Sequence, residues 1–232
     1  MARVDMVILS KATDYTFKAM TQNAVNSAIR GYEDVLNVVV VEQMPDVTYD
    51  NATTIHNTET FNYNRSCNLA AKMGEAEWIV FANNDLKFEP GWLDYLLAAD
   101  YPVVSPIDPD RQSQKRIRKP EKGYVNAVHF SGWCFMMKRD LWEKIGMLDE
   151  DFVFWCADDS VIEQLRIIGV QPMVVPLARV RHLVSKTMGR HGSGQDDGSM
   201  TWAMVRKFEK KYGPHRMRTD PRYHTWQRRN VM

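Results

Sequence analysis

Three short apolar runs separated by helical patterns constrain this chain most. Met6-Val-Ile-Leu-Ser10, Leu36-Asn-Val-Val-Val-Val41 and Trp78-Ile-Val-Phe-Ala82 each read as a buried strand, the second strongly so because it is rich in β-branched residues. After the first, Asp14 is placed to cap a helix whose apolar face is Phe17, Met20, Ala24, Val25 and Ala28. After the second, a polar stretch from Pro45 to Thr60 has too little periodicity to assign. Asn62 to Met73 then reads as helical, with Gly74 as its stop. Strand–helix–strand–helix–strand within 85 residues predicts a parallel sheet with right-handed crossovers. Ligands of such sheets sit beyond the carboxyl ends of the strands. Three ends therefore matter: Ser10 to Ala12, Glu42, and Asn83-Asn84-Asp85.

The second half is less regular. Gly91 to Ala98 reads as a short helix, and Pro102–Ser105 and Cys134–Met137 read as strands. Asp140 to Ile145 is a short helix ended by Gly146. Asp158 to Ile168 is a longer one, with Val161, Ile162, Leu165 and Ile168 on one side. Pro172–Pro176 is a further strand. Ser185 to Met200 contains four glycines and reads as a mobile loop, and Trp202 to Tyr212 as a basic amphipathic helix.

Composition narrows the function classes. Of 232 residues, 44% are hydrophobic and 25% charged, which suits a globular protein. Seven Trp, nine Tyr and nine Phe exclude a disordered chain. No apolar run approaches the roughly 20 residues needed to cross a bilayer. The start, MARVDMVILSKATD, is broken too soon by Lys11 and Asp14 for a signal peptide, so a cytoplasmic location is expected. Cys67, Cys134 and Cys156 are widely spaced with no Cys-x-x-Cys, and read as buried small hydrophobes rather than a disulfide framework or zinc site. Charge is uneven. Thr201–Met232 holds nine Lys/Arg against two Asp/Glu, a net of +7, and the rest of the chain is −6. A second basic cluster, Arg111 to Lys122, carries six cations and one anion. An acidic body with two basic segments suggests an anionic partner, although any single charge run is equally a solvated surface.

Asn83-Asn84-Asp85 directly follows an apolar strand. Oxygen ligands there suit a hard divalent cation that takes few protein ligands when phosphates supply the rest. Alone, the tripeptide is equally a turn. Asp158-Asp159 opens a helix, where carboxylates serve as caps, or in a cleft as a general base. His182 would complete an Asp/Asn oxygen site in a way that suits Mn²⁺ better than Mg²⁺. The chain lacks His-x-x-x-His, Gly-x-x-x-x-Gly-Lys-Ser/Thr, Gly-x-Gly-x-x-Gly and Gly-x-Ser-x-Gly. That disfavours zinc enzymes, P-loop NTPases, classical dinucleotide enzymes and serine hydrolases.

The order of these elements is more specific than any one of them. Phe61-Asn-Tyr-Asn-Arg-Ser-Cys-Asn-Leu-Ala-Ala-Lys-Met-Gly74, then Trp78 to Asp85, then Pro90-Gly-Trp-Leu93, resembles the core of family 2 glycosyltransferases of the GT-A fold. Ser131-Gly-Trp-Cys-Phe-Met-Met-Lys-Arg-Asp140 resembles that family's Gly-centred acceptor-side strand, and Ile145-Gly-Met-Leu-Asp-Glu150 its Gly-x-x-Asp-Glu turn. Asp158-Asp159 falls where the family has Glu-Asp, Arg181-His182 where it has a metal-binding His, and Phe208-Glu-Lys-Lys-Tyr-Gly213 resembles a closing Lys-Trp-Gly element. Together these span most of residues 4–213.

The resemblance implies an α/β, Rossmann-like GT-A fold with a mixed, mostly parallel central sheet. The catalytic domain would span residues 1–200, with a nucleotide-binding half to about residue 100 and an acceptor half beyond it. Residues 201–232 would form a basic C-terminal helix and tail. It also implies roles. Asp85 would bind a divalent metal, Mn²⁺ or Mg²⁺, bridging the diphosphate of a nucleotide-sugar, with His182 as second ligand. Asn83 and Asn84 would lie near the ribose or diphosphate, and Asn68 on the helix before them would also serve the donor. Ser10, Ala12 and Glu42 would line the base and ribose pocket. Gly132 and Trp133 would shape the acceptor side. Asp159 would be the base of an inverting transfer, with Asp158 beside it. Glu42 replaces the family's usual Asp, Asp158 its usual Glu, and Val161 its downstream second acid, so the choice of base between Asp158 and Asp159 stays open. A UDP-sugar donor is the family expectation. Lys186 and Arg190, in the glycine-containing loop, would add positive charge as that loop closes over the donor.

The acceptor is argued from charge. Arg206, Lys207, Lys210, Lys211, Tyr212, Arg216, Arg218, Arg222, Tyr223, Trp226, Arg228 and Arg229 interleave cations with aromatics, a pattern that suits phosphates and unstacked bases. The compact size resembles small phage-encoded enzymes of this family. A hydroxymethylated pyrimidine in DNA is the leading acceptor, flipped from the stack if need be, in a host cytoplasm. The runner-up is a surface glycan, lipid-linked sugar or protein. Two other classes remain open: a metal-dependent phosphoesterase using Asp85, Asp158, Asp159 and His182, and a non-catalytic nucleic-acid-binding module. The sequence leaves the oligomeric state undetermined.

Overall fold

The computed structural model describes residues 4–183 and 199–215. The loop residues Lys186 and Arg190, and the tail from Arg216 onward, lie outside the described residues.

The elements follow the apolar pattern. They are β1 (Val4–Ser10), α1 (Tyr15–Ile29), β2 (Leu36–Glu42), β3 (Thr53–His56), α2 (Tyr63–Ala71), β4 (Trp78–Ala82), β5 (Leu86–Phe88), α3 (Trp92–Ala98) and β6 (Val103–Ile107). Then come β7 (Glu121–Lys122), β8 (Cys134–Lys138), α4 (Arg139–Lys144), α5 (Ala157–Ile167), β9 (Met173–His182) and α6 (Ser199–Tyr212). Asp14 caps α1, its carboxylate accepting from the Phe17 amide at 3.1 Å, and Asn62 caps α2 through the Arg65 amide at 3.0 Å.

Among the described residues, nine strands form one sheet in the order β3-β2-β1-β4-β8-β6-β9-β5, with β7 on β9. β3, β2, β1 and β4 are mutually parallel. β8 runs antiparallel between β4 and β6, and β9 returns parallel to β6. Six of the nine strands (β1, β2, β3, β4, β6 and β9) thus point one way, and the sheet is mixed but mostly parallel. The three apolar runs became the centre of the sheet because they are buried on both faces. Met6 and Ile8 of β1 pack with Val25 and Ala28 of α1 and with Trp92, Leu93 and Leu96 of α3. Val7, one residue out of phase, packs on the other face with Ala70 and Ala71 of α2, Leu141 of α4, and Val161 and Leu165 of α5. The result is a helix–sheet–helix sandwich.

A buried ion pair fastens the N-terminal strand to the far half. Arg139 Nη2 lies 2.7 Å from Asp5 Oδ2, and its other guanidinium nitrogens donate to the carbonyls of Ala76 and Ala71 at 2.7 Å each. Gly74 makes room, since a Cβ there would fall 2.0 Å from Asp5 Oδ2.

Several segments depart from the sequence expectation. The unassigned stretch 45–60 contains β3, an edge strand that is only partly buried and so carries no apolar run. The strand expected over 172–176 continues to His182, with a register shift opposite Pro106/Ile107 that lets β9 leave β6 and pair with β5. β5 and β7, of three and two residues, are too short for a periodic signal. The last described helix, α6, packs Val205 and Phe208 against Phe152, Cys156 and Ala157 at the start of α5.

Candidate active site

The carboxyl ends of the parallel strands carry a continuous hydrogen-bond network. Glu42, fully buried at the end of β2, accepts from the Ala12 amide at 3.0 Å, the Met44 amide at 2.9 Å and the Tyr49 hydroxyl at 2.6 Å. Tyr49 Oη lies 2.9 Å from Ser10 Oγ, which lies 2.9 Å from Thr21 Oγ1, and Asn84 Nδ2 donates to Thr21 Oγ1 at 3.0 Å. Burial first, and then the carboxylate of Glu42, push the Tyr49 hydroxyl well above its ordinary value, so it stays a proton donor to Glu42. The structure thus brings Ser10, Ala12, Glu42 and Asn84 together in one network. Their side chains are turned inward, where they brace the rim of the crevice. Asn83 is half-buried, and its backbone N–H donates to the Trp133 carbonyl at 2.9 Å.

Asn68 is placed elsewhere. Its amide nitrogen donates to the Leu148 carbonyl at 2.8 Å and Glu150 Oε1 at 3.0 Å, and its oxygen accepts from the Leu148 amide at 3.0 Å and from Trp142 Nε1 at 3.3 Å. It fixes the turn at 148–150 to α2. It also lines a cavity of about 660 Å³, together with Gly146, Leu148, Asp149, Gln164 and Tyr212, that includes none of the other predicted site residues.

Asp85 and His182 meet across the β5–β9 ladder, where His182 pairs with Leu86. His182 Nε2 is 3.2 Å from Asp85 Oδ1, and the Leu183 amide donates to the Asp85 carbonyl at 2.9 Å. With metal–ligand bonds of about 2.1–2.2 Å, two atoms at that separation subtend roughly 95°, the angle between adjacent octahedral positions. A carboxylate and an imidazole so arranged fit a divalent cation that takes its remaining ligands from phosphate and water. The Trp133 ring stacks on His182 with centroids 5.4 Å apart, and Trp133 Nε1 is buried with no hydrogen-bond partner among the described residues.

The two aspartates sit in the first turn of α5. Asn126 Nδ2 donates to Asp158 Oδ2 at 2.6 Å and to Asp159 Oδ1 at 2.9 Å, and His215 Nε2 lies 3.0 Å from Asp159 Oδ2. Gly132 is pressed against Asp158, for a Cβ there would fall 2.5 Å from the Asp158 Cβ. One short segment thus touches both groups, because Gly132 abuts Asp158 while its neighbour Trp133 stacks on His182. Asn126 and His215 escaped the sequence reading. Each is a single polar residue in an irregular segment, with no motif around it to point to a partner more than 30 residues away.

No protein-family model matches the chain. Two curated relatives are similar over part of it. Polypeptide N-acetylgalactosaminyltransferase 8 of Drosophila melanogaster is 24% identical over 147 residues, covering 50% of this chain and 25% of that protein. O-antigen biosynthesis protein RfbC of Myxococcus xanthus is 24% identical over 191 residues, covering 67% of this chain and 15% of that protein. The chain therefore spans a quarter or less of the length of these relatives. Among solved structures, the mannosyltransferase PcManGT from Pyrobaculum calidifontis, in complex with GDP-Man and Mn²⁺, superposes with a TM-score of 0.58. It shares 18% identity, over 80% of this chain and 58% of that one. GalNAc-T7 with UDP, GalNAc and Mn²⁺ superposes with a TM-score of 0.60 and 14% identity, over 78% of this chain and 44% of that one. At these identities the likeness speaks for architecture, and the architecture is the GT-A fold of the glycosyltransferases.

Proposed function

We propose that the chain is a metal-dependent glycosyltransferase that moves a sugar from a nucleotide-sugar, a UDP-sugar by preference, to an acceptor hydroxyl with inversion. The observation that carries the reading is the Gly132-Trp133 segment. It seats an acid pair on one side and an Asp–His pair fit for a divalent cation on the other. Both solved neighbours were captured with a nucleotide or nucleotide-sugar and Mn²⁺, which favours a transferase over a phosphoesterase or a bare binding module.

Asp85 and His182 would hold Mn²⁺ or Mg²⁺, which when bound offsets the charge building on the leaving diphosphate. Ser10, Ala12, Glu42, Asn83 and Asn84 shape the nucleotide end of the crevice, and Trp133 Nε1 offers an uncommitted donor to a ligand. The acceptor oxygen attacks the anomeric carbon, the bond from that carbon to the phosphate oxygen breaks, and the nucleoside diphosphate leaves. Asp159 takes the acceptor proton, with Asn126 fixing its other oxygen and Asp158 held beside it. Lys186 and Arg190 would supply positive charge toward the diphosphate.

For the acceptor, the basic segments favour a hydroxymethylated pyrimidine in DNA, as in a small phage-encoded family 2-like enzyme. The O-antigen and polypeptide relatives favour a second reading, a glycan or protein hydroxyl. The test is calorimetric titration of UDP, GDP and CDP with and without Mn²⁺, followed by turnover on hydroxymethylated DNA and on glycan acceptors. Metal-dependent binding of one nucleotide is expected. Asp159→Asn should keep donor binding and lose turnover by at least about 100-fold. Absence of nucleotide binding under every condition overturns the reading.

A further inference from the structure

Cys156, Asp159 and His215 come together from the start of α5 and the residues after α6. The Cys156 sulfur, an Asp159 carboxylate oxygen and a His215 ring nitrogen all lie within 4.8 Å of one another. His215 Nε2 is 3.0 Å from Asp159 Oδ2 and 3.8 Å from Cys156 Sγ. An imidazole nitrogen has one lone pair or one hydrogen, directed along a single axis. A thiol and a carboxylate that converge on it are arranged as co-ligands of one cation would be. With ligand bonds of about 2.0–2.3 Å, the two separations correspond to angles of roughly 120° and 95°, which bracket the tetrahedral value. All three residues are buried or nearly so, His215 at 2% exposure.

Cys156 has φ of 62°, in the left-handed region that favours glycine. Cys67 and Cys134 are buried in the core on the two faces of the sheet and belong to no such cluster among the described residues.

We propose that Cys156, Asp159 and His215 hold a borderline-soft divalent transition metal, Zn²⁺ by its match to thiolate, imidazole and carboxylate. This site shares no residue with the Asp85–His182 pair. An occupied site clasps the segment after α6 to the head of α5. It also takes up the carboxylate that accepts the proton, so Zn²⁺ switches turnover off. Only that last consequence rests on the transferase reading.

The test is titration of Co²⁺ into the full chain after EDTA treatment, followed by absorption. Thiolate-to-cobalt charge transfer gives a near-ultraviolet band, which Co²⁺ at Asp85 and His182 cannot produce because that pair has no sulfur. The band is expected, with visible bands of tetrahedral Co²⁺, and Zn²⁺ should abolish it. Cys156→Gly, which suits the left-handed backbone, should remove the near-ultraviolet band, and His215→Ala should weaken Co²⁺ binding at least about tenfold. Circular dichroism checks that both variants fold. A wild-type spectrum without the band at saturating Co²⁺, or a band that survives in folded Cys156→Gly, overturns the proposal. If the band appears and no nucleoside diphosphate binds, the zinc site stands and the transferase reading falls. Nucleotide binding without the band gives the converse.

Discussion

His182 Nε2 lies 3.2 Å from Asp85 Oδ1 although the residues are almost a hundred positions apart, because the β5–β9 ladder sets His182 opposite Leu86. The pair is built into main-chain pairing at the end of the sheet, so its geometry exists before any ligand arrives. Asp85→Ala and His182→Ala should each weaken Mn²⁺-dependent nucleotide binding by about tenfold or more. Binding without metal should change little. Calorimetry with and without Mn²⁺ separates the two, and equal loss in both conditions would place these residues outside the metal site.

Gly132 leaves no room for a side chain beside Asp158. Gly132→Ala should displace Asp158 and, through Asn126, misorient Asp159. The expected result is a fall in kcat of about tenfold or more with donor affinity kept, since a small misplacement of a reacting group costs rate steeply. Steady-state kinetics set against nucleotide calorimetry give the answer. A change confined to donor affinity would contradict it.

The Arg139–Asp5 pair is a stability device. Both side chains are largely buried, at 15% and 8% exposure, and Arg139 also satisfies two backbone carbonyls. Arg139→Ala leaves a buried carboxylate unpaired and should cost about 3–5 kcal/mol. Urea unfolding measures this directly, and a loss below about 1 kcal/mol would mean that the hydrogen bonds from Asn37 and the Ala76 amide suffice to hold Asp5.

Docking of α6 depends on pH. Lys211 and Lys207 hold the Asp151 carboxyl below its ordinary 3.8 through hydrogen bonds at the surface. A depressed carboxyl contributes stability above its unfolded value and loses it as the pH falls through the folded one. Contacts of α6 with Asp151 should therefore loosen below about pH 4, by only a small amount because these ion pairs are exposed. Limited proteolysis after α6 across pH 3 to 6, with and without salt, reads this out. Cleavage that is independent of pH would assign the docking to Phe208 and Val205 alone.

The parts of this molecule that were legible in the sequence are those whose signal is local. β1, β2 and β4 are buried on both faces and so read as unbroken apolar runs, and Asp14 and Asn62 announce the helices that they cap. The extension of β9 was written in an alternation that the reading overlooked, with Leu177 and Arg179 exposed and Ala178 and Val180 buried. Asn68 shows the opposite case. It lies in a recognisable motif, yet its bonds go to residues 148 and 150, a partnership that no spacing reveals. Asn126 and His215 reach the acid pair only through the folded topology, so no periodicity marks them.

The single strand β9 works as a ruler. At one end it is registered against β6 by Met173 to Val175, and at the other against β5 by Val180 to His182. Successive residues of a strand face opposite sides, so gaining or losing one residue between Pro176 and Arg181 would turn the imidazole away from Asp85. Between Ile107 and Glu121 the chain runs outside the ladders and is held by side chains instead, Asp110 to Arg181 at 2.6 Å and Gln114 to Ser131 at 2.9 Å. Natural and engineered length changes should therefore be absent from the six residues, Pro176 to Arg181, that carry His182 to its place.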